Sequence, residues 1–190
     1  DSTRAIGAAI EAVARPPAVW LQMSTATIYA HRFDAPNDEA TGLIGGNEPG
    51  VPGYWGFSVD IAKAWERAQQ EANTPKTRRV ALRTSMVMSP DRDGIFDVLL
   101  GLTRKGLGGP IAGGRQFVSW IHDRDLSRAV DFILEHDDIE GPVNLAAPPP
   151  CPSATSWPRS ARRAVFGSAS PPLGGWWRSA HSSCAPILSW

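Results

Sequence analysis

Cysteine is scarce. The two that occur, Cys151 and Cys184, both fall in the last 40 of 190 residues. Neither has a partner at metal-ligand spacing, and two thiols make no disulfide framework, so the expected setting is reducing and cytoplasmic. Net charge is missing as well, since 19 basic residues balance 19 acidic ones. That balance recommends neither nucleic acid nor an anionic membrane as a partner. No apolar run is long enough to span a bilayer, and no signal peptide is visible. The first residues, Asp1-Ser2-Thr3-Arg4, include no initiating Met and open inside a helical pattern, so the chain reads as starting in mid-protein. A phosphate-binding glycine motif is also lacking. Gly42–Gly50 lies in a loop and Gly106–Gly114 follows a helix. Neither has the strand-to-helix context in which backbone N–H groups cradle a pyrophosphate.

A length of 190 residues is enough for one domain with a real core. The composition breaks near residue 150. Residues 151–190 contain no Asp, Glu or Lys and hold four of the eight tryptophans. No helical or strand period persists there, which fits neither a polar linker nor a normal core. One reading is a low-complexity tail. A sharper one is translation in a shifted frame, because the codon table permits a frame from Pro150 onward that encodes a turn and an amphipathic helix. The expected organisation is an ordered part, 1–150, and an irregular tail, 151–190.

Within the ordered part, Ile6, Ile10 and Val13 recur at helical spacing and Pro16-Pro17 stops them. Ala18–Met23 suits a buried parallel strand. A loop rich in Gly, Pro, Asn and Asp follows from about Ala30 to Tyr54, long enough to expect a function for it. Phe57, Ile61, Trp65, Ala68 and Ala72 mark one helix face, with Trp65 expected in the core and Glu66 solvated or salt-bridged. Arg79–Met88 reads as a second strand, Phe96–Leu102 as a helix ending near Gly106, and Gly108–Gly114 as a bracket around a short strand or turn at Ile111. Phe117–Ile121 alternates like a strand, and Asp123 and Asp125 then sit where a helix begins, facing its positive end. Val143-Asn144-Leu145 is a last short strand. Helices alternating with strands predict an α/β fold with parallel strands. Right-handed crossovers then place helix 57–73 over one face of the sheet.

Ligands of open α/β sheets bind at the carboxyl ends of the strands. Two runs lie there, Met23–Tyr29 and Arg83-Thr84-Ser85. A strand-end hydroxyl can donate to a carbonyl and polarise it, or simply cap a turn. Arg83 can pair with an acid while Thr84 and Ser85 form a plain strand exit. His122, at the end of an apolar strand, contacts a substrate on one reading and anchors the turn on the other. His31 and Asp34 have no metal-like partners in the sequence and are read as structural.

The segments Ser24–Tyr29, Trp65-Glu66, Arg83–Val87, Gln116–Leu126 and Asn144–Pro148 together resemble the extended short-chain dehydrogenase/reductases. Within them the resemblance is to the atypical NAD(P)-binding, epimerase-like family that carries a small extra C-terminal domain. It covers roughly residues 1–150. It implies a partial Rossmann-type parallel sheet with flanking helices and a small substrate segment. It also implies NADP or NAD as cofactor in the intact parent, and a small-molecule carbonyl or sugar-like substrate. Thr25 falls on the family's catalytic hydroxyl. Ser24, Tyr29, Arg83, Thr84 and Ser85 fall on the cofactor side, Tyr29 as a wall of the site. Gln116, Trp120 and His122 fall on the substrate side.

Ala30 stands where related enzymes carry Gly. The usual Tyr and Lys, four apart, fall on Ser58 and Ala62. Lys63 lies one residue past that face, and Tyr54 precedes the expected helix. The acid–base pair is therefore absent, as it often is in the wider branch. The family's glycine motif would precede Asp1, so this chain alone is expected to bind dinucleotide poorly. Two rivals remain from the sequence: a non-catalytic nucleotide sensor, and a structural or partner-binding α/β fragment.

Overall fold

The computed structural model describes residues 1–32, 35–108 and 117–147, and the backbone of 151–152. The chain forms two compact units, one of Asp1–Ser85 with Arg124–Leu145, the other of Met86–Asp123 with the residues from Ala146 on.

The first unit is a three-stranded parallel sheet between helices. Helix α1 (Ser2–Ala12) leads into strand β1 (Val19–Thr25), a short 3-10 turn (Ala26–Ile28) and then the long loop. Helix α2 (Gly53–Gln70) returns the chain to strand β2 (Arg78–Thr84). Strands β1 and β2 lie side by side in the same direction, in the register Val19 with Arg78 through Thr25 with Thr84. Their parallel pairing is the arrangement that alternating helix and strand signals demand.

Helix α4 (Asp123–Glu135), all but its first residue in this unit, precedes strand β6 (Gly141–Leu145). Strand β6 pairs parallel with β2 to complete the order β1-β2-β6. Side chains alternate across a strand, so Arg79, Ala81 and Arg83 face one side of β2 while Arg78, Val80, Leu82 and Thr84 face the other. Helix α2 covers the first side: Gln69 Nε2 donates to Trp20 O at 2.9 Å and Arg79 Nη1 donates to Gln70 O at 2.8 Å. On the second side Arg78 donates to Ile133 O at 2.9 Å and to Ile139 O at 2.7 Å, fixing the end of α4. Val59, Ala62, Val80, Leu82 and Ile133 are fully or nearly fully buried.

The second unit holds β3 (Met86–Met88), α3 (Ile95–Arg104), β4 (Phe117–Val118), β5 (Trp120–His122) and β7 (Cys151–Pro152). Strands β3 and β5 pair parallel, Met86 with Trp120 through Met88 with His122; β4 and β7 pair antiparallel.

Three expectations are corrected. The run Arg79–Met88 is two strands in two different sheets. Ser85 ends the first, because both its N–H (3.0 Å) and its hydroxyl (2.8 Å) donate to Leu145 O, and Met86 pairs elsewhere. Helix α2 starts four residues earlier than expected, at Gly53, behind the extended Pro52, so Tyr54 lies inside it. The buried face of α2 is also not the aromatic stripe. Phe57 and Trp65 are 67% and 38% exposed, while Val59, Ala62, Glu66 and Gln69 are buried. Two of those four are polar and reach the sheet through hydrogen bonds, which an apolar periodicity cannot register. The expected short strand around Ile111 and the tail from residue 153 on lie outside the described residues.

Candidate functional site

The register of the first sheet sets Ser24, Arg83 and Asn144 in one row near the carboxyl ends of three strands. All three face the side covered by α2. There Glu66, one turn before the end of α2, accepts from Ser24 Oγ at 2.7 Å and from Arg83 Nε at 2.9 Å on one oxygen. Its other oxygen accepts from Arg83 Nη2 at 2.8 Å. This two-point contact is the geometry in which a planar guanidinium and a carboxylate match best.

Arg83 Nη1 donates to the Tyr29 hydroxyl at 2.7 Å, and that hydroxyl donates to Asn144 Oδ1 at 2.9 Å. The guanidinium carbon lies 5.0 Å from the centre of the Tyr29 ring, close enough for a cation–π contribution. Ser24, Tyr29, Glu66 and Arg83 are all buried. The hydrogen bonds to Glu66 hold the Arg83 pKa above its usual value; burial opposes this and the Tyr29 contact adds to it. Arg83 is therefore a permanent buried cation, compensated by Glu66.

The network continues into the long loop. Asn144 Nδ2 donates to Asn37 O at 3.2 Å, and the Asn144 N–H donates to Glu39 Oε1 at 2.7 Å. Asn37 Nδ2 donates to Ala30 O at 3.0 Å. The loop lies so close to Tyr29 that a Cβ on Gly42 would sit 2.6 Å from the tyrosine Cε1.

The next row contains Thr25, Thr84 and Leu145. Thr25 Oγ1 accepts from the Thr27 N–H at 3.1 Å and donates to Thr27 Oγ1 at 3.0 Å. It thus caps the 3-10 turn while remaining half-buried. The hydroxyl proton of Thr27 has no acceptor among the described residues, so of this pair Thr27 carries the donor left for a ligand. Thr84 Oγ1 donates to Leu82 O at 3.3 Å. The Thr84 and Ser85 hydroxyls, like the Ser85 N–H, are turned to backbone oxygens of their own sheet.

Of the residues singled out in the sequence, the structure thus joins Ser24, Tyr29 and Arg83 in one network and sets Thr25, Thr84 and Ser85 at the adjoining strand ends. Trp120 and His122 belong to the second unit. His122 is buried and its Nδ1 lies 2.5 Å from Asp123 Oδ1. Trp120 O accepts from the Ala147 N–H at 2.7 Å. Gln116 and Asp34 lie outside the described residues. Sequence reasoning missed Asn37, Glu39 and Asn144 as partners. Only the Gly, Pro, Asn and Asp content of the loop hinted at them.

Ser58 and Ala62, onto which the resemblance maps a Tyr and a Lys, carry no acid–base group in the structure. Ala62 is fully buried, and Ser58 Oγ donates to Tyr54 O at 3.0 Å. Lys63 Nζ is drawn to Gly45 O at 2.9 Å. Among the described residues no strand leads through a glycine-rich turn into a helix, and no three His, Cys, Asp or Glu side chains come together as a metal site. The described residues therefore include no backbone cradle for the pyrophosphate of a dinucleotide.

No protein-family model matches the chain. Epimerase family protein SDR39U1 of Mus musculus is 32% identical over 148 residues, which are 78% of this chain and 47% of that protein. The crystal structure of human epimerase family protein SDR39U1 (isoform 2) with NADPH superposes with a TM-score of 0.68 at 30% identity. That match covers 80% of this chain and 48% of the human one. The chain belongs to the epimerase family. It is of the atypical, NAD(P)-epimerase-like kind within the short-chain dehydrogenase/reductases. This epimerase-family chain spans about half the length of the curated relatives it matches (47%). A nucleoside-diphosphate sugar epimerase from Corynebacterium glutamicum superposes with a TM-score of 0.66 at 22% identity, over 85% of this chain and 33% of that one. At that identity it shares the epimerase-family fold and nothing finer.

Proposed function

We propose that this chain is the strand-end portion of an NAD(P)-dependent, epimerase- or dehydratase-like oxidoreductase acting on a carbonyl or sugar-like compound. The observation that carries the proposal is the parallel alignment of β1 and β2 with their hydroxyl-bearing ends in register, Thr25 beside Thr84. Rossmann-type sheets receive the reactive end of a ligand at such ends. The human relative's structure, which holds NADPH, supports the choice of cofactor class.

In this reading Thr25, backed by Thr27, faces the carbonyl of the substrate. Ser24, Tyr29 and Arg83 hold the floor beneath the cofactor, and Thr84 and Ser85 border it. Gln116, Trp120 and His122 are assigned to the substrate by the resemblance alone.

A second reading, a nucleotide sensor of the same fold without proton chemistry, is favoured by Ser58 and the buried Ala62 at the positions of the usual acid–base pair. Both readings are tested by titrating NADPH and NAD, with fluorescence detection, into this chain and into the full-length parent. The parent is expected to bind one of the two and this chain to bind neither appreciably. A parent that binds neither ends both readings. NADPH oxidation by the parent with a carbonyl compound selects the enzyme over the sensor.

A further inference from the structure

We infer that the first unit carries a small oxyanion-binding pocket on the flank of α2, which shares Arg83 and Glu66 with the strand-end network but opens beside Lys63, Arg67 and Gln70. The pocket has a volume of about 220 Å³ and is lined by Ile28, Ile44, Lys63, Glu66, Arg67, Gln70 and Arg83. That is room for about seven waters. Lys63, Glu66, Arg67 and Gln70 stand at spacings of three and four and so share one helix face.

The charge on this face does not cancel. Three cations, Lys63, Arg67 and Arg83, line the pocket against one carboxylate, Glu66. Both Glu66 oxygens are already taken, by Ser24 and by Arg83, so Glu66 cannot neutralise the other two cations. Arg67 has no side-chain hydrogen bond or ion pair among the described residues. Lys63 gives one hydrogen bond to Gly45 O, and its nearest acid, Asp60, is 3.9 Å away and 75% exposed.

The floor adds an independent observation. A guanidinium has five N–H donors, and Arg83 uses three of them, on Glu66 twice and on Tyr29 once. Its side chain is 9% exposed. The two remaining N–H groups therefore belong to a desolvated cation and have no acceptor among the described residues. A buried donor without an acceptor costs free energy that a ligand oxygen would recover. Lys63, Arg67 and the Gln70 amide supply donors from the rim, and Ile28 and Ile44 provide an apolar wall. The fitting ligand is a compact phosphate or carboxylate with a small apolar part.

The test uses the whole 190-residue chain, followed by amide NMR at constant ionic strength, with inorganic phosphate, phenyl phosphate and acetate titrated in separate arms. Saturable shifts are expected around Lys63–Gln70, Ile28 and Ile44 in at least one arm, and the arms tell phosphate from carboxylate preference. Phenyl phosphate is expected to bind more tightly than inorganic phosphate. The double variant K63Q/R67Q changes exposed or half-exposed groups and is expected to melt like the wild type while binding about tenfold more weakly. Absence of saturable shifts in every arm, shifts scattered over the surface, or undiminished binding by the double variant would each overturn the pocket.

Discussion

Arg83 and Glu66 hold opposite charges out of water, and each depends on the other to stay there. Removing one partner of a buried pair leaves an uncompensated charge and costs about 3–5 kcal/mol, whereas replacing both with apolar side chains of similar size is often close to neutral. Glu66→Leu is therefore expected to lose most of the cooperative unfolding transition in urea. Arg83→Met with Glu66→Leu is expected to recover it largely. A double variant as unstable as the sum of the singles would show that the two side chains do not act as a pair. The pairing was half legible at this scale. A charged residue inside an apolar strand demands an acid, and Glu66 was expected to be solvated or salt-bridged. What the sequence could not say is which acid, because the two residues are 17 positions apart and meet only through the crossover. The capping role of Thr25 was foreseen as the plainer of its two readings, and the geometry assigns it without removing the hydroxyl from the strand end.

The positions of α1, β1, α3 and β6 fall close to where the sequence places them, but α1 turns Thr3 and Gly7 inward while Ile6 and Val13 of its expected apolar face are 46% and 49% exposed. Helix α2 was misread in its orientation because its inner face includes Glu66 and Gln69, whose burial is offset by hydrogen bonds instead of apolar contact. The long loop gave no periodicity at all, yet it is held at many points. Asp38 accepts from the Ala40 and Thr41 N–H groups and from the Thr41 hydroxyl, and Glu48 accepts from the N–H groups of His31 and Gly46. These bonds lower both carboxyl pKa values, the Thr41 N–H contributing most at Asp38 and the carboxylate's own backbone N–H most at Glu48. A depressed folded-state value means that the contribution is fully present above the ordinary carboxyl value and lost as pH falls through the depressed one. The loop is thus expected to loosen below about pH 4, seen as lower protection factors for the Thr41 and Gly46 amide protons. Asp38→Asn should abolish the pH dependence at Thr41 and leave that at Gly46. Equal protection of both amides at pH 3 and pH 6 would contradict the assignment.

At the scale of the whole molecule, the sheet order β1-β2-β6 places β1 at an edge. Among the described residues β1 pairs with β2 alone, so the backbone donors and acceptors of Val19–Thr25 that point away from β2 meet no further strand. Nothing in Val19–Thr25 guards that edge, since the run contains no charge and no proline and Met23 is 48% exposed. A long apolar edge strand is a template for pairing with another chain. The isolated 190-residue chain is therefore expected to self-associate as its concentration rises, with an increase in sedimentation coefficient over the micromolar range. Met23→Lys puts a charge on a side chain that is already half exposed. It should shift the association to higher concentration while leaving the low-concentration melt unchanged. If the full-length parent supplies a further strand against β1, as the proposed function requires, the same substitution there should lower stability and not alter association. A wild-type chain that stays monomeric at all concentrations would mean that this edge is already covered.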